Sequence, residues 1–268
     1  MKKLIATAAA VLAASLLATG WAVAQTGDAQ LDGNLHPNVG ALLAKRADGS
    51  LRIICTGTLV SPRVFLTAAH CTDYMYSVGQ SDAYVTFDPS FGTDPNHDIF
   101  STPYHGTLHQ NPGYRPPYQH DTALVLLDEA VEGIAPAQIA PRHFLDDLKD
   151  AKALKDMEFT NVGYGTSEQV VVPTVGPTFP FDGIRKWTVS GYRALDPGFI
   201  HLNQNLAQGW SGTGYGDSGG PTFADTPDGP VVISVVSTGD VPCYATSVNQ
   251  RVDSDNAQDF LAPYLALG

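Results

Sequence analysis

Gly216-Asp217-Ser218-Gly219-Gly220 sets a serine among three glycines. That composition suits a tight turn, because glycine backbones adopt conformations barred to residues with a Cβ. Such a turn presents a hydroxyl and aims amide N–H groups at one point. Acyl transfer needs that pairing: a nucleophile, and donors about 3 Å from where an oxyanion develops. A Gly-rich surface turn has the same composition, so the rest of the chain must decide.

The string also fits G-x-S-x-G, the nucleophile elbow of α/β-hydrolases, which places its acid and then its histidine after the serine. The eight histidines are His36, His70, His97, His105, His109, His120, His143 and His201, and all precede Ser218. The elbow is excluded. A subtilisin-like order of Asp, His, Ser would rest on His105-Gly106-Thr107 and Gly165-Thr166-Ser167, whose surroundings do not fit. The order His, Asp, Ser remains. Val64-Phe65-Leu66-Thr67-Ala68-Ala69-His70-Cys71 is an apolar run ending in a histidine beside a cysteine. Upstream, Cys55 to Val60 reads as a second strand, with a Ser61-Pro62 turn between the two. A hairpin of that length brings Cys55 and Cys71 within reach of each other. Further on, His120-Asp121-Thr122-Ala123-Leu124-Val125-Leu126-Leu127 places an aspartate at the mouth of a buried strand. Asp98 and Asp128 compete for its role, but no apolar strand follows Asp98, and Asp128 stands at the far end of one.

These three segments resemble the T-A-A-H-C, D-I-A-L and G-D-S-G-G motifs of the chymotrypsin/trypsin-like serine proteases, in their secreted bacterial-type form. The likeness runs from about Leu31 to the C-terminus and includes His36-Pro37-Asn38-Val39-Gly40 and Val162-Gly163-Tyr164-Gly165. It implies an all-β fold of two packed antiparallel β-barrels with a short C-terminal helix, and an active site in the cleft between the barrels. It implies Ser218 as nucleophile, His70 as general base and Asp121 as the acid that orients His70. The N–H groups of Gly216 and Ser218 would form the oxyanion hole. The expected activity is that of a serine endopeptidase acting on protein or peptide substrates. Two alternatives stand beside it: a protease-like binding protein without catalysis, and an esterase using the same triad.

The resemblance also assigns a substrate pocket, with Gly212 at its base and Thr213, Ser237 and Gly239 along its walls. An uncharged base leaves a buried substrate cation unpaired at a cost of several kcal/mol, which disfavours cleavage after Arg or Lys. Val236 stands where glutamate-specific relatives carry a histidine, and Thr238 where many members carry a tryptophan. An apolar or aromatic substrate side chain is therefore expected. Gly214 occupies the position whose cysteine usually pairs with one at Cys243, so Cys243 is expected to be a free thiol. In the family a new N-terminal amine, made by cleavage before Ile-Val-Gly-Gly, meets the aspartate before the nucleophile, here Asp217. This chain has no such tetrapeptide; Gln30-Leu31-Asp32-Gly33 is the nearest echo. A buried carboxylate needs a partner, which would be a terminus at Gln25, one near Leu31, or another cation.

Strand-like runs recur between Gly, Pro and Asn turns, among them Ala83–Phe87, Glu158–Val162, Lys186–Tyr192 and Val231–Ser237. Phe144–Lys155 and Ala257–Ala266 read as helices. Residues 1–24 read as a signal peptide: Met1-Lys2-Lys3, an apolar stretch from Leu4 to Leu17, then Ala22-Val23-Ala24 as cleavage site. Residues 25–140 are expected to hold the first barrel with a short propeptide, and 141–268 the second barrel and terminal helix, with Pro136 and Pro141 at the crossover. The formal net charge of −12 becomes more negative by two when the leader takes its lysines away. An acidic chain disfavours nucleic acid and anionic membranes as partners. A secreted monomer, extracellular or periplasmic, is expected. Export favours a Cys55–Cys71 disulfide, worth about 3 kcal/mol, and the odd third cysteine is Cys243. No cofactor is expected, with a structural calcium ion as the one alternative. Asp94-Pro95-Asn96-His97-Asp98 mimics the opening of a calcium loop, but Ile99 replaces its glycine and His105 its final glutamate.

Overall fold

A computed structural model of the chain describes residues 25–93, 98–99, 103–167 and 169–267. The expected leader, residues 1–24, and most of the calcium-like loop lie outside the described residues.

Six strands close the first barrel: β1 (Val39–Lys45), β2 (Leu51–Ser61), β3 (Val64–Thr67), β4 (Asp82–Thr86), β5 (Tyr104–Gln110) and β6 (Ala123–Leu127), in the order β1-β2-β3-β6-β5-β4. The second barrel is built from β7 (Glu158–Gly163), β8 (Lys186–Leu195), β9 (Phe199–Asn203), β10 (Pro221–Thr226), β11 (Gly229–Gly239) and β12 (Thr246–Arg251). Its order is β8-β7-β10-β11-β12-β9, and β8 pairs with β9 to close the ring. All pairings within both rings are antiparallel. The two-barrel all-β fold expected from the sequence is the fold observed.

Side-chain alternation explains why the seam strands are apolar throughout. Along β6, Val125 and Leu127 face the first barrel's interior with Leu42, Leu59, Phe65 and Leu108. Leu124 and Leu126 face outward, into a cluster shared with Val162, Phe223, Val232 and Val235 of the second barrel. Phe65 points inward while its neighbours Val64 and Leu66 join the shared cluster. Strands buried on both faces read as unbroken hydrophobic runs, and each fully buried Val, Leu or Phe contributes about 1.5–3 kcal/mol. A third cluster, including Phe159, Ile200, Leu202 and Ile233, fills the second barrel.

Among the described residues, three α-helices decorate the barrels: α1 (Ala69–Ser77), α2 (Phe144–Asp150) and α3 (Asp255–Leu265). The helical reading of Phe144–Lys155 splits into α2 and a single 3-10 turn at Leu154–Asp156. Helix α3 packs Phe260 and Leu261 into the shared cluster. Helix α1 follows β3 after a single residue, so the apolar run Val64–Ala69 ends in a helical turn and His70 is a helix residue rather than the end of a strand.

The segment before β1 pairs with the second barrel. Gln30–Leu31 lies antiparallel to β8, and Gln25 and Thr26 bridge to Ser167 and Gly212. Gln138–Ile139 also joins the second barrel, running parallel to β11. The stretch 25–140, grouped with the first barrel from sequence, thus sends both its ends to the second. A buried ion pair fixes the seam: Arg185 donates to Asp32 at 2.8 Å and to the carbonyl oxygens of Val39 and Phe87. Both side chains are fully buried. Burial pushes the Asp32 carboxyl up, but its hydrogen bonds to His36 and Arg185 outweigh that and hold it below the usual range.

Candidate active site

His70 sits in the first turn of α1, and the Cys55–Cys71 disulfide ties that turn to β2 with a Cα–Cα distance of 6.4 Å. Asp121 precedes β6 and is fully buried. Its two oxygens divide their work. One accepts the His70 backbone N–H at 2.8 Å and the other meets His70 Nδ1 at 2.8 Å. With Nδ1–H donated to a carboxylate, Nε2 is left as a proton acceptor. The Asp121 N–H in turn donates to Gln250 Oε1 of β12 at 3.0 Å, and Gln250 Nε2 is anchored on Gly198 O at 2.9 Å. The Tyr118 ring stands edge-on to the imidazole, 5.5 Å away.

Of the competing acids, Asp128 is exposed and paired with His105 at 2.6 Å rather than with His70. The side chain of Asp98 lies outside the described residues.

Ser218 reaches the same cavity from the loop between Gly212 and β10. The backbone is left-handed at Gly216 (φ +100°) and Gly219 (φ +78°). A Cβ at Gly219 would also lie 2.6 Å from Thr56 O. The glycines of the opening string are therefore required by geometry. Neighbours fix the peptide planes: Thr56 Oγ1 donates to Gly216 O at 2.9 Å, Thr56 N–H to Ser218 O at 2.9 Å, and Gly219 N–H to Val236 O at 2.8 Å. Among the described residues, neither the Gly216 nor the Ser218 N–H donates to a protein acceptor. Two donors beside a hydroxyl are thus open to a ligand.

The cavity that His70 and Ser218 line measures about 390 Å³. Thr213, Ser237 and Gly239, assigned to the pocket from sequence, line it; Gly212 does not. Gln204 takes its place, accepting the Thr213 N–H at 3.0 Å and leaving no room for a Cβ on Gly212. Thr213 Oγ1 bonds Ser247 Oγ at 2.9 Å, and Ser237 Oγ is buried without a hydrogen-bond partner among the described residues. The far wall is the turn after Gly239. There burial raises the Asp240 carboxyl, but the backbone N–H groups of Tyr244, Ala245 and Thr246 outweigh it and hold it below the ordinary range. Cys243 is a free, buried thiol in that wall. At Gly214, where the family's partner cysteine would sit, Thr166 O occupies the space a Cβ needs. Tyr215 spans the same gap instead, its hydroxyl donating to Val241 O at 3.3 Å.

One grouping of ligand-type side chains among the described residues combines Cys55, Cys71 and His70. Two of its members form the disulfide, and thiolates, not disulfide sulfurs, ligate metals. Gln204, Gln250 and Thr56 escaped sequence reasoning: each acts through the backbone of a distant segment, and no local pattern marks such a residue.

A family model described as Trypsin matches residues 26–260 of the chain. No curated protein matches it.

Proposed function

This chain belongs to the trypsin family, and we propose that it is an exported serine endopeptidase whose triad is His70, Asp121 and Ser218. One observation carries the reading: a buried carboxylate binds both the backbone N–H and the Nδ1 of a histidine that shares a cavity with Ser218.

Ser218 Oγ attacks the scissile carbonyl while His70 Nε2 takes its proton. The carbonyl oxygen becomes an oxyanion, received by the Gly216 and Ser218 N–H groups. His70 then returns the proton to the leaving amine, which departs as the acyl-enzyme forms. Water, deprotonated by the same imidazole, releases the acid. Asp121 holds the productive tautomer and stabilises the imidazolium without taking its proton. Asp121 N–H on Gln250 brings the second barrel into the support of the acid.

The substrate side chain enters the cavity over Gln204 and Thr213. The cavity base is uncharged, Gln204 and Thr213 being neutral, and Asp240 stands in the wall turn, oriented by three backbone donors. A neutral side chain, apolar or aromatic, is the fitting occupant. The leader-like residues 1–24 and the disulfide support export.

Mass-spectrometric mapping of peptides that the protein releases from a mixed proteome tests both claims. Cleavage after neutral side chains is expected. Cleavage confined to Arg and Lys would overturn the pocket assignment, and no cleavage by folded protein would overturn the peptidase reading.

A further inference from the structure

The residue before Ser218, Asp217, is fully buried, and its carboxylate is met by three donors. Two are backbone N–H groups, Gly165 on one oxygen and Gly214 on the other, each at 2.8 Å. The third is the carboxamide of Gln25, with Nε2 3.3 Å from Oδ1. Gln25 is only 1% exposed. Its N–H donates to Thr166 O at 3.0 Å, and the next residue, Thr26, exchanges both backbone hydrogen bonds with Gly212, at 3.1 and 3.2 Å. The N-terminal segment is thereby built into the floor beneath the Ser218 loop.

We propose that the Gln25 side chain, rather than an α-amino group, is the partner that holds Asp217 and so positions the loop 214–218 for catalysis. The proposal rests on the peptidase reading given above. Asp217 closes the loop onto Gly165 and Gly214, which lie on either side of the peptides that carry the Gly216 and Ser218 N–H groups. The Gln25 N–H is spent on Thr166 O, so the nitrogen of this residue that reaches Asp217 is that of the carboxamide. Gln25 is a positioning residue: it acts through Asp217.

The partner is neutral, and the surroundings agree with that. No ammonium or guanidinium hydrogen-bonds to Asp217 among the described residues. Lys186 of β8 acts on it only at a distance and is itself paired with Asp182. Asp217 in turn acts on the Cys243 thiol, helping to raise it. Burial pushes the Asp217 carboxyl up to about 6, against the pull of Gly214, Gly165, Gln25 and Lys186.

Three forms of the full chain decide the matter, assayed on a small ester after Ser218 is counted with a fluorophosphonate. Gln25→Leu should lower kcat about 10- to 100-fold, the range that one hydrogen bond to a carboxylate controls, with KM changed less. Gln25→Glu should lose activity at pH about 8 and recover relative to wild type as pH falls to about 5, because two buried carboxyls share a proton and the protonated one donates. A chain with two residues fixed ahead of Gln25 should keep the kcat of one that begins there. Loss of turnover in the extended chain, or a Gln25→Glu ratio flat with pH, would overturn the proposal. These two arms decide even if Gln25→Leu fails to fold. Failure of the peptidase reading shows separately, as an unsubstituted chain that takes no fluorophosphonate on Ser218.

Discussion

Thr56, a residue of the first barrel, donates its backbone N–H to the carbonyl oxygen of Ser218 at 2.9 Å. The loop that carries the nucleophile belongs to the second barrel, yet this bond and the one from Thr56 Oγ1 to Gly216 O orient its peptides from across the seam. The candidate site is thus a property of the interface. Neither barrel alone holds both His70 and the bonds that shape the Ser218 loop.

Thr56→Val keeps volume and β-branching while removing the hydroxyl that serves Gly216 O and accepts the Tyr164 N–H. A fall in kcat of about tenfold is expected, with a stability loss of about 1 kcal/mol for the lost hydrogen bonding. Steady-state kinetics beside urea denaturation checks both. A stability loss with unchanged kcat would deny Thr56 a part in shaping the oxyanion loop.

Asp121→Asn should lower kcat by roughly 10⁴-fold while the fold persists, because the amide no longer enforces the Nδ1–H tautomer of His70. Asp128→Asn should leave kcat within about twofold, since exposed ion pairs such as the one with His105 contribute little. The reverse pattern would move the acid's role to Asp128.

Stability should depend on pH through Asp217. Its carboxyl lies at about 6 in the folded protein against an ordinary 3.8, so between these values the folded state binds more proton than the unfolded one. Stability therefore falls as pH rises through that window, by roughly 3 kcal/mol for this group. Asp32, Asp146, Asp196 and Asp240 are shifted down and act oppositely, giving stability that is lost as pH falls through their range. Denaturation of wild type and Asp217→Asn across pH about 4 to 7 isolates the first effect. The variant should gain on wild type as pH rises; a constant difference would contradict the assignment.

The pocket wall after Gly239 is held by Asp240 and Tyr215 where a disulfide is missing. Asp240→Ala should raise KM for peptides with a neutral side chain in the pocket by about tenfold, more than it lowers kcat. The Cys243 thiol, pushed up to about 11 by burial and by Asp240 and Asp217, should resist alkylation at pH about 8 until the protein unfolds. Mass spectrometry before and after denaturant reads this directly.

Local patterns carried much of the fold. Three spaced motifs identified the family, and the apolar runs of Ala123–Leu127 and Val231–Ser237 were legible because both faces of those strands are buried. The start of α1 was not, since Val64–Ala69 continues the same apolar character into the first helical residue. The placement of Gln25, Gln30 and Gln138 on the second barrel depends on pairing between distant segments, to which sequence periodicity is blind. The part of Gln204 at the pocket base escapes a sequence reading for a related reason. Gly212 keeps its expected place in the chain, but Gln204 of the preceding loop fills the space in front of it.

The most direct measurement locates the adduct of a fluorophosphonate on the folded protein by peptide mass spectrometry, with His70→Ala beside wild type. The account predicts one adduct, on Ser218, formed by wild type and slowed by orders of magnitude in His70→Ala. No adduct on Ser218, or equal labelling of the two proteins, would contradict a His70-activated nucleophile.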